Sequence, residues 1–345
     1  MILTPTLCVT ADAVQANLRA AALARQLLAG SGAPAVSVAL LQGGRRGLAA
    51  MGERVRGTGI DVTRQDLWQI GSNAISMTAM LVARLVEADV IRWEDTVGQL
   101  MGDLALHQDL VDATFEMLLS DRCGLSRPAG PRLTRAFSAV RGAEGAERRC
   151  QKLLIRRGTA LRHSDAGHVV VAAMLEAATD QSWEELITDW VFEPLALETA
   201  GFGPSGPAKT LCQPRGHGGP FPWSRRASVP DADEIAVMGP ASGIHLSLAD
   251  QLRYLSAHLR KPEAFLNSES WQKLHRDAAG QGHAMGWDMR NGSLLRHTGS
   301  HRFWFNLVLI NPSEKSALVL ALNTAPTARV RHSAQRAAAS FLSQS

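Results

Sequence analysis

Trp68-Gln69-Ile70-Gly71-Ser72-Asn73-Ala74-Ile75-Ser76-Met77-Thr78-Ala79-Met80-Leu81-Val82-Ala83-Arg84-Leu85-Val86 is the stretch that decides how this chain is read. Its apolar-flanked Gly-Ser opens a long helical run, which predicts Ser72 at a helix N-terminus. Unpaired backbone N–H groups and the helix dipole favour negative charge there. A serine nucleophile gains from that position, whereas a serine that only caps its helix needs nothing more than the position itself. Both readings are open at this point.

On the N-terminal side, residues 11–28 carry Ala and Leu at helical spacing, and Gly30-Ser31-Gly32 predicts the end of that helix. Residues 34–41 are short and β-rich; Gly43-Gly44 and the run 47–51 read as the turn and return strand of a hairpin. On the C-terminal side, helical period continues through Glu87, and further helices are predicted over 183–190 and after Asp250. Residues 203–230, rich in Gly, Pro, Arg and Ser, predict a loop over the rim of a site. The last hundred residues turn to β pattern. Asn291-Gly292 predicts a hairpin turn, 294–300, 304–310 and 317–323 predict strands, and 328–342 predicts a terminal amphipathic helix.

Three spaced segments carry a resemblance. Gly71-Ser72 begins one helix, Leu161-Arg162-His163-Ser164-Asp165-Ala166-Gly167-His168 runs into another, and His297-Thr298-Gly299-Ser300 lies in a strand. With Leu118-Leu119-Ser120-Asp121-Arg122-Cys123-Gly124, Pro194-Leu195-Ala196-Leu197 and Pro240-Ala241-Ser242-Gly243 in the right order, the chain resembles the serine β-lactamase, penicillin-binding protein and related esterase superfamily. Its class C and family VIII-type esterase branch is the most similar. The resemblance implies an α/β fold in which an antiparallel sheet is flanked by helices and a mainly helical region is inserted. It implies a sheet domain from 1–65 and 240–345, and a helical domain from 66–239 that carries the site loops. The three motifs correspond to the Ser-x-x-Lys, Tyr-x-Asn and Lys-Thr-Gly or His-x-Gly motifs of the family, and the first two are degenerate. Ile75 stands for the lysine, His163 for the tyrosine and Asp165 for the asparagine.

Serine acyl transfer needs a deprotonated Oγ, a site for the oxyanion and a proton route to the leaving group. Ile75 carries no proton, and the chain's single tyrosine, Tyr254, falls on a helix predicted elsewhere. By family analogy, the N–H groups of Ser72 and Ser300 form the oxyanion hole. A neutral imidazole at His163, with an ordinary pKa near ~6.5, is a competent acid and base at neutral pH. Asp165 or His297 would orient it, in a Ser-His arrangement convergent with other triads. The candidate catalytic residues are therefore Ser72, His163 and Asp165, and Ile75, His297, Thr298, Gly299 and Ser300 are candidates for lining the substrate. Each also has a bland reading: a cap for Ser72 and Asp165, a filler for His163, and a site-lining role for His297. Ser270-Trp271-Gln272-Lys273 is a chance Ser-x-x-Lys match on a predicted surface helix.

The chain has 345 residues, 46% hydrophobic and 20% charged, with formal charge +4. Its cations are scattered except around Arg148, Arg149, Lys152, Arg156 and Arg157, a group without the interleaved aromatics of a nucleic-acid groove. Cys8, Cys123, Cys150 and Cys212 are far apart, so neither a zinc site nor a disulfide framework is expected, and Asp121, His163 and His168 have no standard metal-ligand spacing. No signal h-region and no run of ~18 apolar residues is found, which predicts a cytoplasmic protein with no membrane partner. The expected function is an atypical serine hydrolase or acyltransferase acting on a small-molecule ester, lactone or amide, without a cofactor. The alternative is a non-hydrolytic protein on the same scaffold, either a ligand-binding pseudoenzyme or an enzyme doing acid-base chemistry without an acyl-enzyme.

Overall fold

The computed structural model describes residues 11–102, 108–120, 165–207, 209–218, 226–227, 238–278, 280–289 and 292–343. Helix α1 (Ala11–Ser31) leads to the hairpin β1 (Ala35–Gln42) and β2 (Arg45–Gly52), then β3 (Leu67–Gln69), a 3-10 turn (Gly71–Asn73) and α2 (Ala74–Glu87). Short helices α3 (Val97–Met101), α4 (Gln108–Val111) and α5 (Phe115–Leu119) follow, then α6 (Asp165–Thr179) and α7 (Trp183–Ile187). Next come β4 (Gly201–Phe202), β5 (His217–Gly218), β6 (Arg226–Ala227), α8 (Gly239–Ser242), β7 (Ile244–Ser247), α9 (Leu248–Arg260) and α10 (Ser268–Leu274). The chain closes with β8 (His283–Ala284), β9 (Trp287–Asp288), β10 (Leu295–His301), β11 (Trp304–Asn311), β12 (Ser316–Leu322) and α11 (Ala328–Leu342).

Both chain ends build one antiparallel sheet in the order β2-β1-β12-β11-β10-β9-β8. Its central strands are apolar on both faces because both faces are covered. Val36, Val38 and Leu40 of β1, with Leu318, Leu320 and Leu322 of β12, meet α1 and α11; Ala35, Ala39, Val319 and Ala321 face the larger core. Helices α2 and α9 pack into that larger core, so the sheet is the middle layer of three. A small second sheet, β3-β7-β4, carries the chain into the Gly71 turn.

The expected elements are found, with local differences. The hairpin turns at Gly43 and Gly44, both with positive φ, as a two-residue primed turn needs. The helix predicted over 183–190 is regular only to Ile187 and then widens into a π-turn at Thr188–Phe192, which buries Val191 and Phe192. The expected surface helix α10 is docked: Asn267 caps it, Ser270, Trp271 and Leu274 are buried, and Lys273 Nζ lies 2.6 Å from Glu116 Oε2 and over the Trp93 ring. Among the described residues, no helix is long and apolar enough to cross a membrane.

Three histidines, His217 and His258 buried and His275 half-buried, constrain the pH range of this fold. His217 Nδ1 donates to Asn323 O at 3.0 Å and its Nε2 accepts from Arg56 N at 3.2 Å, a pairing that suits only the neutral ring. Burial lowers its pKa to about 4. His258 Nδ1 and His275 Nε2 lie 2.8 Å apart. Burial, and secondarily the positive charge of Lys261, lowers His275 to about 3; burial also holds His258 well below the ordinary range. Between about pH 6.5 and 4 the unfolded chain takes up protons that the folded chain refuses, so stability is full above that window and is lost as pH falls through it. Urea unfolding across pH 7 to 4 should show this loss. In His217→Gln the slope should flatten by roughly one proton, about 1.4 kcal/mol per pH unit.

Candidate active site

Ser72 is held by a short rigid turn and not by a capped helix end. Ile70 N donates to Ile244 O at 3.1 Å, which ties the turn to β7, and Gly71 then takes φ +55°. Neither Ile70, which precedes the 3-10 turn, nor Asn73, which precedes α2, makes a side-chain cap bond, and Ser72 caps neither piece. The purely capping reading of Ser72 therefore falls. Its side chain is half-buried, in contrast to the buried Gly71 and Asn73 on either side.

The turn is wedged against the main chain of β10. A Cβ on Gly71 would lie 2.5 Å from Ser300 N, and one on Gly299 would lie 2.0 Å from Ile70 O. Only glycine at both positions permits this approach. Directly paired residues of an antiparallel ladder share a face, so the register sorts the third motif. Gly299 opposite Asn306 and His297 opposite Val308 face the core beneath α2; Thr298 opposite Leu307 and Ser300 opposite Phe305 share the face toward α1 and α11. Gly299 and Ser300 thus meet the Ser72 turn through their backbones. His297 is buried, and its Nδ1 lies 2.6 Å from Gly286 O. Because a carbonyl only accepts, Nδ1 carries the proton, and in the neutral ring Nε2 is the basic nitrogen.

Behind the turn lies a buried polar network that motif reading missed, in which Asn73 Oδ1 finds no hydrogen-bond partner among the described residues. Asn73 Nδ2 donates to Ile70 O at 3.1 Å and to Asn306 Oδ1 at 2.8 Å, while Asn306 and Gln251 exchange two amide hydrogen bonds of 3.0 Å. All three side chains are buried. The signal available in the sequence was Asn306 itself, a lone amide inside the apolar strand run 304–310.

One turn into α2, Ser76 Oγ donates to Asn73 O at 3.0 Å and accepts from Tyr254 Oη at 3.0 Å. The expectation that the single tyrosine lies away from the motifs is therefore corrected: α9 brings it against the Ser72 helix. Burial raises the Tyr254 phenol, outweighing the Ser76 bond that lowers it, so it stays a protonated donor. Ile75 is wholly buried in the same stretch. His163 lies outside the described residues. Asp165 opens α6, and its side chain also lies outside them, as do Asp121 and Cys123. His168 is fully buried on α6.

Comparison with known proteins agrees with this sheet-and-helix architecture. The family model described as Beta-lactamase matches residues 20–343. The chain belongs to the beta-lactamase family. It is 28% identical over 172 residues to penicillin-binding protein 4 of Amycolatopsis lactamdurans, a match covering 48% of this chain and 43% of that protein, so the chain spans less than half of that relative's length. Solved structures share its fold. D-amino acid amidase from Ochrobactrum anthropi SV3 superposes with TM-score 0.76 at 17% identity, covering 96% of this chain and 99% of that one. EstCE1, a hydrolase with promiscuous acyltransferase activity, gives TM-score 0.73 at 17% identity over 95% and 99% of the two chains. The octameric penicillin-binding protein homologue from Pyrococcus abyssi gives 0.69 at 19% identity over 89% and 73%.

The wedge and the hydroxyl pair make separable predictions. Gly71→Ala combines positive φ with a collision against backbone that cannot rotate away, and should cost about 3 kcal/mol or more in chemical denaturation. Tyr254→Phe removes a single buried donor while Ser76 keeps its bond to Asn73 O, and should cost only about 1 kcal/mol in the same measurement.

Proposed function

We propose that the chain is a serine hydrolase or acyltransferase acting on a small-molecule ester, lactone or amide, with Ser72 as its nucleophile. The observation that supports this most is the wedge: a half-buried Ser72 in a glycine-permitted turn whose backbone abuts Ser300 N. Two main-chain N–H groups, of Ser72 and Ser300, are then the donors for the developing oxyanion, and main-chain donors survive the replacement of side chains around them. Ser72 Oγ attacks the carbonyl carbon as its proton passes to an imidazole, and the same imidazole protonates the departing alcohol or amine. Water, or an acceptor alcohol, then repeats the sequence on the acyl-enzyme.

The imidazole is assigned to His163, with Asp165 to orient it. His297, already fixed with Nε2 as its basic nitrogen, shares the site. Ile75 takes no part in proton transfer, and hydrolysis of β-lactams by the lysine-dependent route is not expected. Relatives of this fold that carry hydrolase and amidase names fit the assignment of reaction class. Ile75 also favours a second reading, a scaffold that binds a ligand without turning it over.

An activated fluorophosphonate should leave one adduct on Ser72 by intact-mass and peptide-map analysis, absent in Ser72→Ala. Ser72→Ala should lower kcat/KM for an activated ester by about 10³-fold or more, and His163→Ala by about 10²-fold. Turnover retained in Ser72→Ala but lost in His163→Ala rejects the nucleophile and favours acid-base chemistry without an acyl-enzyme. Absence of both adduct and turnover favours the ligand-binding scaffold.

A further inference from the structure

The proposed site makes no use of the outer helical layer. Helices α1 and α11 lie side by side on the face of the sheet opposite α2. They run antiparallel: Arg329 Nε donates to Gly30 O at 2.7 Å at one end, and Arg19 Nη2 donates to Phe341 O at 3.1 Å at the other. Each buries one apolar stripe against the sheet, with Leu23 and Leu27 on α1 and Val330 and Phe341 on α11. Their opposite faces form one outer surface, roughly 30 Å long for the 21 residues of α1.

The charge on that surface is one-sided. The 21 residues of α1 and the 15 of α11 hold five arginines against one aspartate, a net +4 that equals the formal charge of the whole chain. The aspartate, Asp12, is paired with Arg45 of β2 at 3.1 Å. Arg19 bonds Gln42 Oε1 and Phe341 O, Arg329 bonds Gly30 O, and Arg331 stands over the Phe305 ring, so these cations meet neutral groups. Among the described residues none of the five arginines pairs with a carboxylate. An ordinary surface intersperses the two signs, because uncompensated like charge repels itself. Here Arg25, Arg331, His332 and Arg336 are all exposed. Apolar side chains stand with them. Leu18, 53% exposed, is the most exposed large apolar side chain among the described residues, and Val14, 43% exposed, lies one turn before it. Val14, Leu18 and Arg25 share one stripe of α1, by helical period. Neither helix exposes an aromatic ring: α1 has none, and Phe341 of α11 is buried.

We infer that the outer face of α1 and α11 docks on an anionic lipid membrane, with its arginines at the headgroup anions and Val14 and Leu18 at the boundary of the acyl region. Charge alone suits any polyanion. Exposed aliphatic side chains gain nothing from the hydrated backbone of a nucleic acid, whereas a lipid interface buries them favourably beside its anions. Among the described residues no helix is long and apolar enough to cross a membrane, so the contact is peripheral. Absence of a spanning run, the ground for expecting no membrane partner, bears on insertion and not on surface contact. Such contact needs neither Ser72 nor an acyl-enzyme.

The test is co-sedimentation of the full chain with vesicles of phosphatidylcholine alone and of phosphatidylcholine with about one-third phosphatidylserine. Binding is expected to the anionic vesicles only, and should weaken as salt rises from about 50 to about 300 mM. Arg25→Gln with Arg336→Gln should lower the partition coefficient about thirtyfold, whereas Arg25→Lys with Arg336→Lys should keep most of it. Val14→Ser with Leu18→Ser should lower it about tenfold and leave the salt dependence unchanged. Thermal midpoints check that each variant folds, which the outward position of these side chains favours. No binding to the anionic vesicles, equal binding to both kinds, or a partition unchanged in the glutamine pair overturns the inference. So does an unchanged partition in the serine pair, which removes the reason for choosing lipid over another polyanion. Retention of duplex DNA without vesicle binding overturns it in favour of a nucleic acid.

Discussion

The close approach of the Ile70–Asn73 turn to the backbone of β10 is the constraint on which the rest of this structure depends. It joins two segments more than two hundred residues apart, and nothing larger than hydrogen fits at Gly71 or Gly299. The approach is held from three sides. β7 takes the Ile70 N–H, Asn306 on β11 takes the Asn73 amide, and Gln251 on α9 closes the network behind it. Because these groups are buried, removing any one strands its partners without water, at roughly 1–3 kcal/mol each. Stability and site geometry are therefore the same contacts seen twice.

Much of this was legible in the sequence, for identifiable reasons. The β1–β2 hairpin announced itself through Gly43-Gly44, the buried strands β11 and β12 through their continuous apolar runs, and α2 through its unbroken helical period. The order of Gly71-Ser72, Pro240-Ala241 and His297-Thr298-Gly299 carried the family. Each of these signals is local, or is a motif whose spacing tolerates change between the fixed points.

What escaped reading consists of pairings across large sequence distance. Tyr254 and Ser76 are 178 residues apart, and Asn73 and Asn306 are 233 apart; no periodicity in one segment reports a partner in the other. The docking of α10 was missed for a similar reason. Its Ser-x-x-Lys and its polar composition suggested a solvated face, yet Trp271 is fully buried and Lys273 is spent on Glu116 and Trp93. The π-turn after α7 shows the other kind of failure, where burial of Val191 and Phe192 overrides a helical pattern that propensity alone would have continued.

Ile75 is best understood together with its neighbours. Helix α2 is buried along nearly its whole length, so an ammonium at position 75 would have to be desolvated and met by acceptors. Several donors and acceptors nearby are otherwise engaged, while Asn73 Oδ1 is buried without a hydrogen-bond partner among the described residues. Ser76 Oγ bonds Asn73 O and Tyr254, Thr78 Oγ1 donates to Pro240 O at 2.8 Å, and Asn73 is turned toward Asn306. An apolar side chain at position 75 fits this buried surrounding without an unpaired charge. Under the acyl transfer proposed above, the turn before α2 supplies the serine, and its proton must move through groups other than the side chain at position 75. Of the histidines in the motifs, His297 is oriented by its Nδ1–H bond to Gly286 O, which makes Nε2 the basic nitrogen of the neutral ring.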